Sequence, residues 1–152
     1  MDRVEYFERL YPLQDALLAA FARVETGFYL TGGTAASRGY LNHRFSDDLD
    51  LFVNDDPQFG LWTDRLVTAA GAADPTWQVH VGLRDARFVR FVVGAGAVDL
   101  KVELVNDVPS HVGQVTAHPV LGRLDSAENI LANKLTALAD RQEPKDLADI
   151  WG

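Results

Sequence analysis

Phe28-Tyr29-Leu30-Thr31-Gly32-Gly33-Thr34-Ala35 and, a short way on, Ser46-Asp47-Asp48-Leu49-Asp50-Leu51-Phe52 decide how this 152-residue chain is read. Phe28-Tyr29-Leu30 is a short apolar run of strand character, closed by the Gly32-Gly33 turn. Thr34 can cap the helix that follows, which is predicted to run to about Leu41. From Asp48 to Val53 acids alternate with apolar residues before the run turns fully apolar. Period two places Asp48 and Asp50 on one strand face and turns Leu49 and Leu51 to the core. Two carboxylates held this close raise each other's pKa unless a cation lies between them. Mg²⁺ suits such a site, because it takes one or two protein carboxylates and draws further oxygens from substrate phosphates. An isolated Asp-x-Asp is more often a solvated strand edge. Gly32-Gly33-Thr34 shifts that balance, since free backbone N–H groups at a strand-to-helix turn favour an anion and glycines let phosphate approach. Gly33 precedes Asp48 by 15 residues. A phosphate cradle and a metal site facing one substrate are what phosphoryl and nucleotidyl transfer requires.

Working outward, residues 2 to 24 read as helical, with Phe7, Leu10, Leu17, Leu18, Phe21 and Val24 at helical spacing. Pro12 is expected to divide this stretch and Gly27 to end it. Asp55-Asp56-Pro57 breaks the acidic strand and opens a helix with Phe59, Leu61, Trp62, Leu66 and Val67 as apolar positions. Three strands are predicted at Trp77 to Val81, Arg87 to Val93 and Val98 to Val105, with Gly94-Ala95-Gly96 linking the last two. Residues 106 to 124 are weakly patterned, with one short strand near Val120. Asp125-Ser126-Ala127-Glu128 resembles a capping box, and Ile130, Leu131, Leu135 and Leu138 mark the helix after it. Glu143-Pro144 breaks that helix before a last short one. The order predicts an α+β (α/β) fold, a small mixed β-sheet flanked by helices.

The length suits one domain over residues 1–152, with residues from about 125 onward forming a helical C-terminal part. No apolar run reaches the roughly 20 residues needed to span a bilayer, so no membrane partner is expected. The N-terminus lacks an apolar signal core. With no cysteine, disulfides, thiolate metal sites and cysteine nucleophiles are excluded. These features fit a cytoplasmic protein. The net charge of −8 argues against a broad polyanion-binding surface but not against a local basic pocket. His43, His80, His111 and His118 have no zinc-motif spacing and read as surface or structural residues. Trp62, Trp77 and Trp151 read as core residues, with base stacking by an exposed aromatic as the alternative.

A second block near the C-terminus joins the first. Ile130-Leu131-Ala132-Asn133-Lys134-Leu135-Thr136-Ala137-Leu138 is followed by Arg141 and by Lys145-Asp146-Leu147-Ala148-Asp149. Lys134 and Arg141 are seven apart, hence on one face of a continuous helix. An ammonium and a guanidinium together suit a triphosphate, although an ordinary solvated face has the same pattern. With Phe28 to Ala35 and His43-Arg44-Phe45-Ser46-Asp47-Asp48-Leu49-Asp50, this block resembles the AbiEii/AbiGii-type nucleotidyltransferase toxins of the DNA polymerase β-like superfamily. Gly33-Thr34 stands where that superfamily usually has Gly-Ser.

The resemblance implies a polymerase β-like nucleotidyltransferase fold. It assigns Asp48 and Asp50 to Mg²⁺ or Mn²⁺, and Gly32, Gly33 and Thr34 to nucleotide phosphates. It makes Lys134, helped by Arg141, a triphosphate contact, and gives Asp146 a catalytic or orienting role. His43, Arg44 and Ser46 match the pattern, with structural roles as the alternative. Asp99, Lys101 and Glu103 share one face of the predicted strand Val98 to Val105; Lys101-Val102-Glu103-Leu104-Val105 favours Glu103 as the third metal carboxylate, with Asp99 the alternative. Members of the family continue past this block, so a chain ending at Gly152 reads as a short member, a truncated piece or a minimal catalytic domain.

The implied function is transfer of a nucleoside monophosphate from a nucleoside triphosphate to an acceptor, RNA or a tRNA end, with release of pyrophosphate. The implied setting is the toxin of a toxin–antitoxin or phage-defence pair, with an antitoxin protein as partner. Two alternatives stand beside it. One is an antibiotic-modifying nucleotidyltransferase, and the other a degenerate nucleotide-binding domain without turnover. A basic rim around Asp48 favours RNA and an acidic one a cationic drug. A third carboxylate that fails to converge on Asp48 and Asp50 favours the degenerate domain.

Overall fold

The structure is a computed structural model and describes residues 3–41 and 47–141. Among the described residues, four helical stretches and seven strands follow in order. Helix α1 spans residues 3–22, β1 Tyr29–Thr31, α2 residues 32–41, β2 Leu49–Asn54 and α3 Phe59–Ala73. Strands β3 Gln78–Arg84, β4 Phe88–Ala95, β5 Val98–Asp107, β6 Thr116–His118 and β7 Gly122–Leu124 follow, then α4 Ala127–Arg141. The strands form one mixed sheet in the order β3-β4-β5-β2-β1-β7-β6. β2 is the pivot: it runs antiparallel to β1 and parallel to β5.

Alternation along the central strands explains the two-sided sheet. In β5 the even residues Val98, Leu100, Val102 and Leu104 are buried, and in β2 so are Leu49, Leu51 and Val53. These side chains join Leu10, Leu13, Leu17 and Phe21 of α1 and Phe59, Trp62 and Leu66 of α3 in one hydrophobic core. Phe21 meets Phe91 edge to face at 6.5 Å, and Phe28 meets Phe59 at 5.8 Å. The odd residues of β5 and the even residues of β2 point to the opposite, more open face, as period two demands. Asp50, Lys101 and Glu103 are among them.

The predicted division of α1 at Pro12 takes an unexpected form. The helix continues, but its turn Tyr6–Leu10 is π-helical and Tyr11 N–H reaches Tyr6 O. Proline has no N–H to donate to the carbonyl four residues back, and the wider turn absorbs that missing bond. The Gly94-Ala95-Gly96 link shifts by one step: β4 runs through Ala95, and Gly96 takes the left-handed conformation (φ +63°) in a two-residue turn. The expected strand near Val120 is instead the turn of the β6–β7 hairpin, and Val120 is exposed. Leu61, expected on the buried face of α3, is also exposed. Among the described residues, no helix is long and apolar enough to cross a membrane.

Candidate active site

Strand register brings together residues that lie far apart in sequence. Asp50 of β2 pairs in parallel register with Glu103 of β5, so both carboxylates project side by side from the open face. Asp48 sits just ahead of β2. The Lys101 ammonium lies 3.3 Å from Asp48 Oδ2 and 3.3 Å from Glu103 Oε1, bridging the two acids. Arg90 of β4, opposite Glu103 in the antiparallel ladder, approaches Glu103 Oε1 at 3.5 Å. Asp99 lies four residues away along β5 and pairs with Gly94. At ~3.3 Å per residue that is about 13 Å from Glu103.

Burial pushes the Asp50 carboxyl up to about 7, with the nearby Glu103 and Asp48 charges adding to the effect. Lys134 of α4 and Lys101 oppose that rise. Lys134 is therefore near enough to act on the Asp50 charge, although it lies 84 residues beyond Asp50. The two neighbouring acids hold Lys101 above its ordinary value.

The Gly32-Gly33-Thr34 turn is fitted against these acids. Thr31 pairs with Asp50 across the β1–β2 ladder. Gly32 has φ +73°, and a Cβ there would lie 3.0 Å from the Asp50 Cβ and still closer to its carboxylate. Both the backbone conformation and the close approach require glycine at this position. Thr34 is fully buried, and its hydroxyl donates a hydrogen bond to the Asp48 carbonyl. The hydroxyl assigned by resemblance to a phosphate thus braces the acidic strand here. On the other flank, Gln14 donates to Asp47 O at 3.3 Å, and the Tyr6 hydroxyl donates to the Asp47 carboxylate.

The donor set suits a hard divalent cation: three carboxylates on one face, one of them raised by burial and by its two acidic neighbours, with an ammonium between the other two. Among the described residues, no three acids or histidines are drawn close enough to form a ready-made cage. Mg²⁺ needs none, since it completes its octahedron with water and substrate phosphate oxygens.

The sequence profile for the nucleotidyl transferase AbiEii toxin of type IV toxin–antitoxin systems matches residues 15–152. The chain belongs to the AbiEii family. Two solved structures share the AbiEii chain's fold. One is a Helicobacter pylori protein assigned as a nucleotidyltransferase, with a TM-score of 0.71 at 23% identity, covering 98% of this chain and 67% of that one. The other is JHP933 from Helicobacter pylori, with a TM-score of 0.72 at 24% identity, covering 96% of this chain and 65% of that one. The chain thus spans about two thirds of the length of each. No curated protein matches it at a significant level.

Asp48, Asp50 and Glu103 gather on one open face, with the Gly32-Gly33 turn against Asp50, Lys134 close enough to act on it, and Thr34 buried behind Asp48. Arg141 ends α4, and its side chain lies outside the description. Asp146, His43, Arg44, Ser46 and Trp151 lie outside the described residues. Arg90 and the Tyr6–Gln14 flank were not found from sequence. Arg90 shows only after the β4–β5 register is known, and Tyr6 and Gln14 reach Asp47 from an element whose apolar spacing alone attracts notice. An apolar cavity of about 280 Å³ lies between α1 and the β6–β7 hairpin, lined by Leu18, Phe21, Leu66 and Leu121, and none of the carboxylates borders it.

Proposed function

We propose that this chain is a single metal-dependent nucleotidyltransferase unit. It moves a nucleoside monophosphate from a nucleoside triphosphate to an RNA hydroxyl, releases pyrophosphate, and serves as the toxin of a toxin–antitoxin pair. The observation that carries this reading is the lateral pairing of Asp50 with Glu103 beside the Gly32-Gly33 turn. A degenerate domain has no need of a third acid in that position.

In this reading Asp48, Asp50 and Glu103 hold Mg²⁺ or Mn²⁺. The bound ion supplies neutralising charge on the reacting phosphoryl oxygens. The protein's own groups do the rest. Backbone N–H groups of the Gly32-Gly33 turn, at a helix N-terminus, face the phosphates. Lys134, with Arg141, balances the triphosphate charge. Glu103 would accept the proton of the acceptor hydroxyl. Asp146 orients the basic block. Lys101 and Arg90 on the open face form a basic rim among the acids, which favours a phosphate-rich acceptor over a cationic drug. The antitoxin would be the partner protein.

The test incubates the protein with each labelled nucleoside triphosphate, Mg²⁺ and total RNA. Labelled RNA with equimolar pyrophosphate is expected, abolished in Asp48→Ala. No labelled product from any nucleotide, or an Asp48→Ala variant indistinguishable from wild type, would sink the enzymatic reading.

A further inference from the structure

Asp125 is fully buried, and the nucleotide site makes no direct use of it. Its Oδ2 accepts hydrogen bonds from the Thr31 hydroxyl and the Asn129 amide, each at 2.8 Å. Its Oδ1 accepts from Ser126 N–H at 2.8 Å and lies 2.7 Å from His111 Nε2. Ser126 N–H and the Asn129 amide N–H can only donate, and the Thr31 hydroxyl donates too, so three hydrogen bonds converge on the two oxygens with His111 Nε2 as a fourth polar neighbour. The backbone joins in: Asp125 N–H donates to Leu30 O at 2.9 Å, and the Tyr40 hydroxyl donates to Asp125 O. One residue is therefore tied to β1, to α2, to the first turn of α4 and to the loop at His111. Burying a carboxyl group is costly unless its oxygens are satisfied, and this one receives three donors and has His111 Nε2 beside it.

The two ties at Oδ2 lead to two elements that flank the proposed nucleotide site. Thr31 immediately precedes Gly32, the residue packed against Asp50. Asn129 lies five residues before Lys134 on the same helix. Ser126 caps that helix, accepting Asn129 N–H at 3.0 Å, and the Ser126 hydroxyl donates to Val112 O. Val112 N–H in turn donates to Asn129 Oδ1 at 3.1 Å. Asp125 Oδ2 thus bridges the strand that delivers the phosphate turn and the helix that delivers the ammonium.

We propose that Asp125 is a positioning residue for the nucleotide. It fixes the Gly32-Gly33 turn and Lys134 at the separation a triphosphate needs, with the part-buried His111 ring nitrogen against its other oxygen. The inference rests on the nucleotidyl-transfer reading for its substrate, and on the hydrogen bonds alone for the clamp.

Thr31→Val removes one hydroxyl and keeps shape and strand preference, while Thr31→Ser keeps the hydroxyl. Asp125→Asn turns one accepting atom into a donor among donors. Each variant is compared with wild type at a temperature where circular dichroism shows all to be folded. Three quantities are read: KM and kcat for the preferred nucleoside triphosphate, Mn²⁺ affinity of the protein alone by calorimetry, and amide hydrogen exchange. Loss of a hydrogen bond to a charged group predicts about a tenfold rise in KM for Thr31→Val. The Mn²⁺ affinity is expected to stay within about twofold, and Thr31→Ser to restore KM. Exchange is expected to quicken together at residues 31–35 and 126–134. A folded Thr31→Val protein with wild-type KM overturns the proposal, as does a Thr31→Ser protein no better than Thr31→Val. A wild type that transfers no nucleotide overturns the transfer reading instead. Exchange then decides the clamp: loosening in both segments upholds it, and loosening in one alone refutes it.

Discussion

Replacing Asp50 by asparagine should make the protein more stable at neutral pH while abolishing its chemistry. The Asp50 carboxyl is pushed from 3.8 up to about 7 by burial and by the neighbouring Glu103 and Asp48. Below about pH 4 the group is protonated in both the folded and unfolded states, and the fold bears no penalty. As pH rises, the unfolded chain loses this proton first, and the folded state is progressively disfavoured until the folded group also ionises near pH 7. At ~1.4 kcal/mol per pH unit the full interval corresponds to at most about 4 kcal/mol. The asparagine side chain has no proton to lose, so the Asp50→Asn variant lacks this slope. The assay is urea denaturation in EDTA at pH 5, 6, 7 and 8, with stability extrapolated linearly for both proteins. The wild-type curve should fall relative to the Asp50→Asn curve as pH rises, and the gap should level off above pH 7. Other titrating groups are common to both proteins, so the difference isolates Asp50. Millimolar Mg²⁺ at pH 8 should close the gap by stabilising the wild type. Parallel stability curves, with no Mg²⁺ response confined to wild type, would refute the idea that unneutralised charge accumulates at this site.

Two further outcomes follow from the same geometry. Gly32→Ala meets both a left-handed backbone and the Asp50 side chain, so it should cost about 1–3 kcal/mol in denaturant midpoint measurements and lower transfer about a hundredfold by displacing the carboxylate. Lys134→Met should keep the fold, as judged by circular dichroism, and raise KM for the nucleoside triphosphate about tenfold or more, since it removes the charge proposed to balance the triphosphate.

Much of the arrangement could be read from local pattern. The alternation Leu49, Leu51, Val53 against Asp50 placed the acids on the open face, and Gly32-Gly33 marked the turn because glycine is required there twice over. Val98 to Val105 read as a strand for the same reason, with Lys101 and Glu103 on one side. What local pattern could not supply was register between strands. Glu103 and Asp99 share a face of β5, and only the β2–β5 pairing puts Glu103 beside Asp50 and leaves Asp99 further along. The role of Asp125 was hidden more deeply. In sequence it begins a capping box, and Ser126 does cap α4. Two of the partners that occupy its carboxyl group, Thr31 and His111, lie 94 and 14 residues away. The β6–β7 hairpin escaped notice because strands of three residues have too few positions to show a period.

The parallel pairing of β2 with β5 also bears on when the protein can first act. Asp50 and Glu103 are separated by 53 residues, and Lys134 follows 31 residues after Glu103. Contacts of such long range form late, because the closure of a large loop precedes any reward from the contact. A ribosome-bound chain that has exposed β1, α2 and β2 holds the glycine turn and two acids but lacks the third acid and the ammonium. Until Glu103 and then Lys134 have emerged and α4 has docked, the chain lacks two of the groups that the proposed chemistry uses. For a chain proposed to be harmful to its own host, that ordering leaves an interval in which a partner protein can meet the toxin before its first turnover.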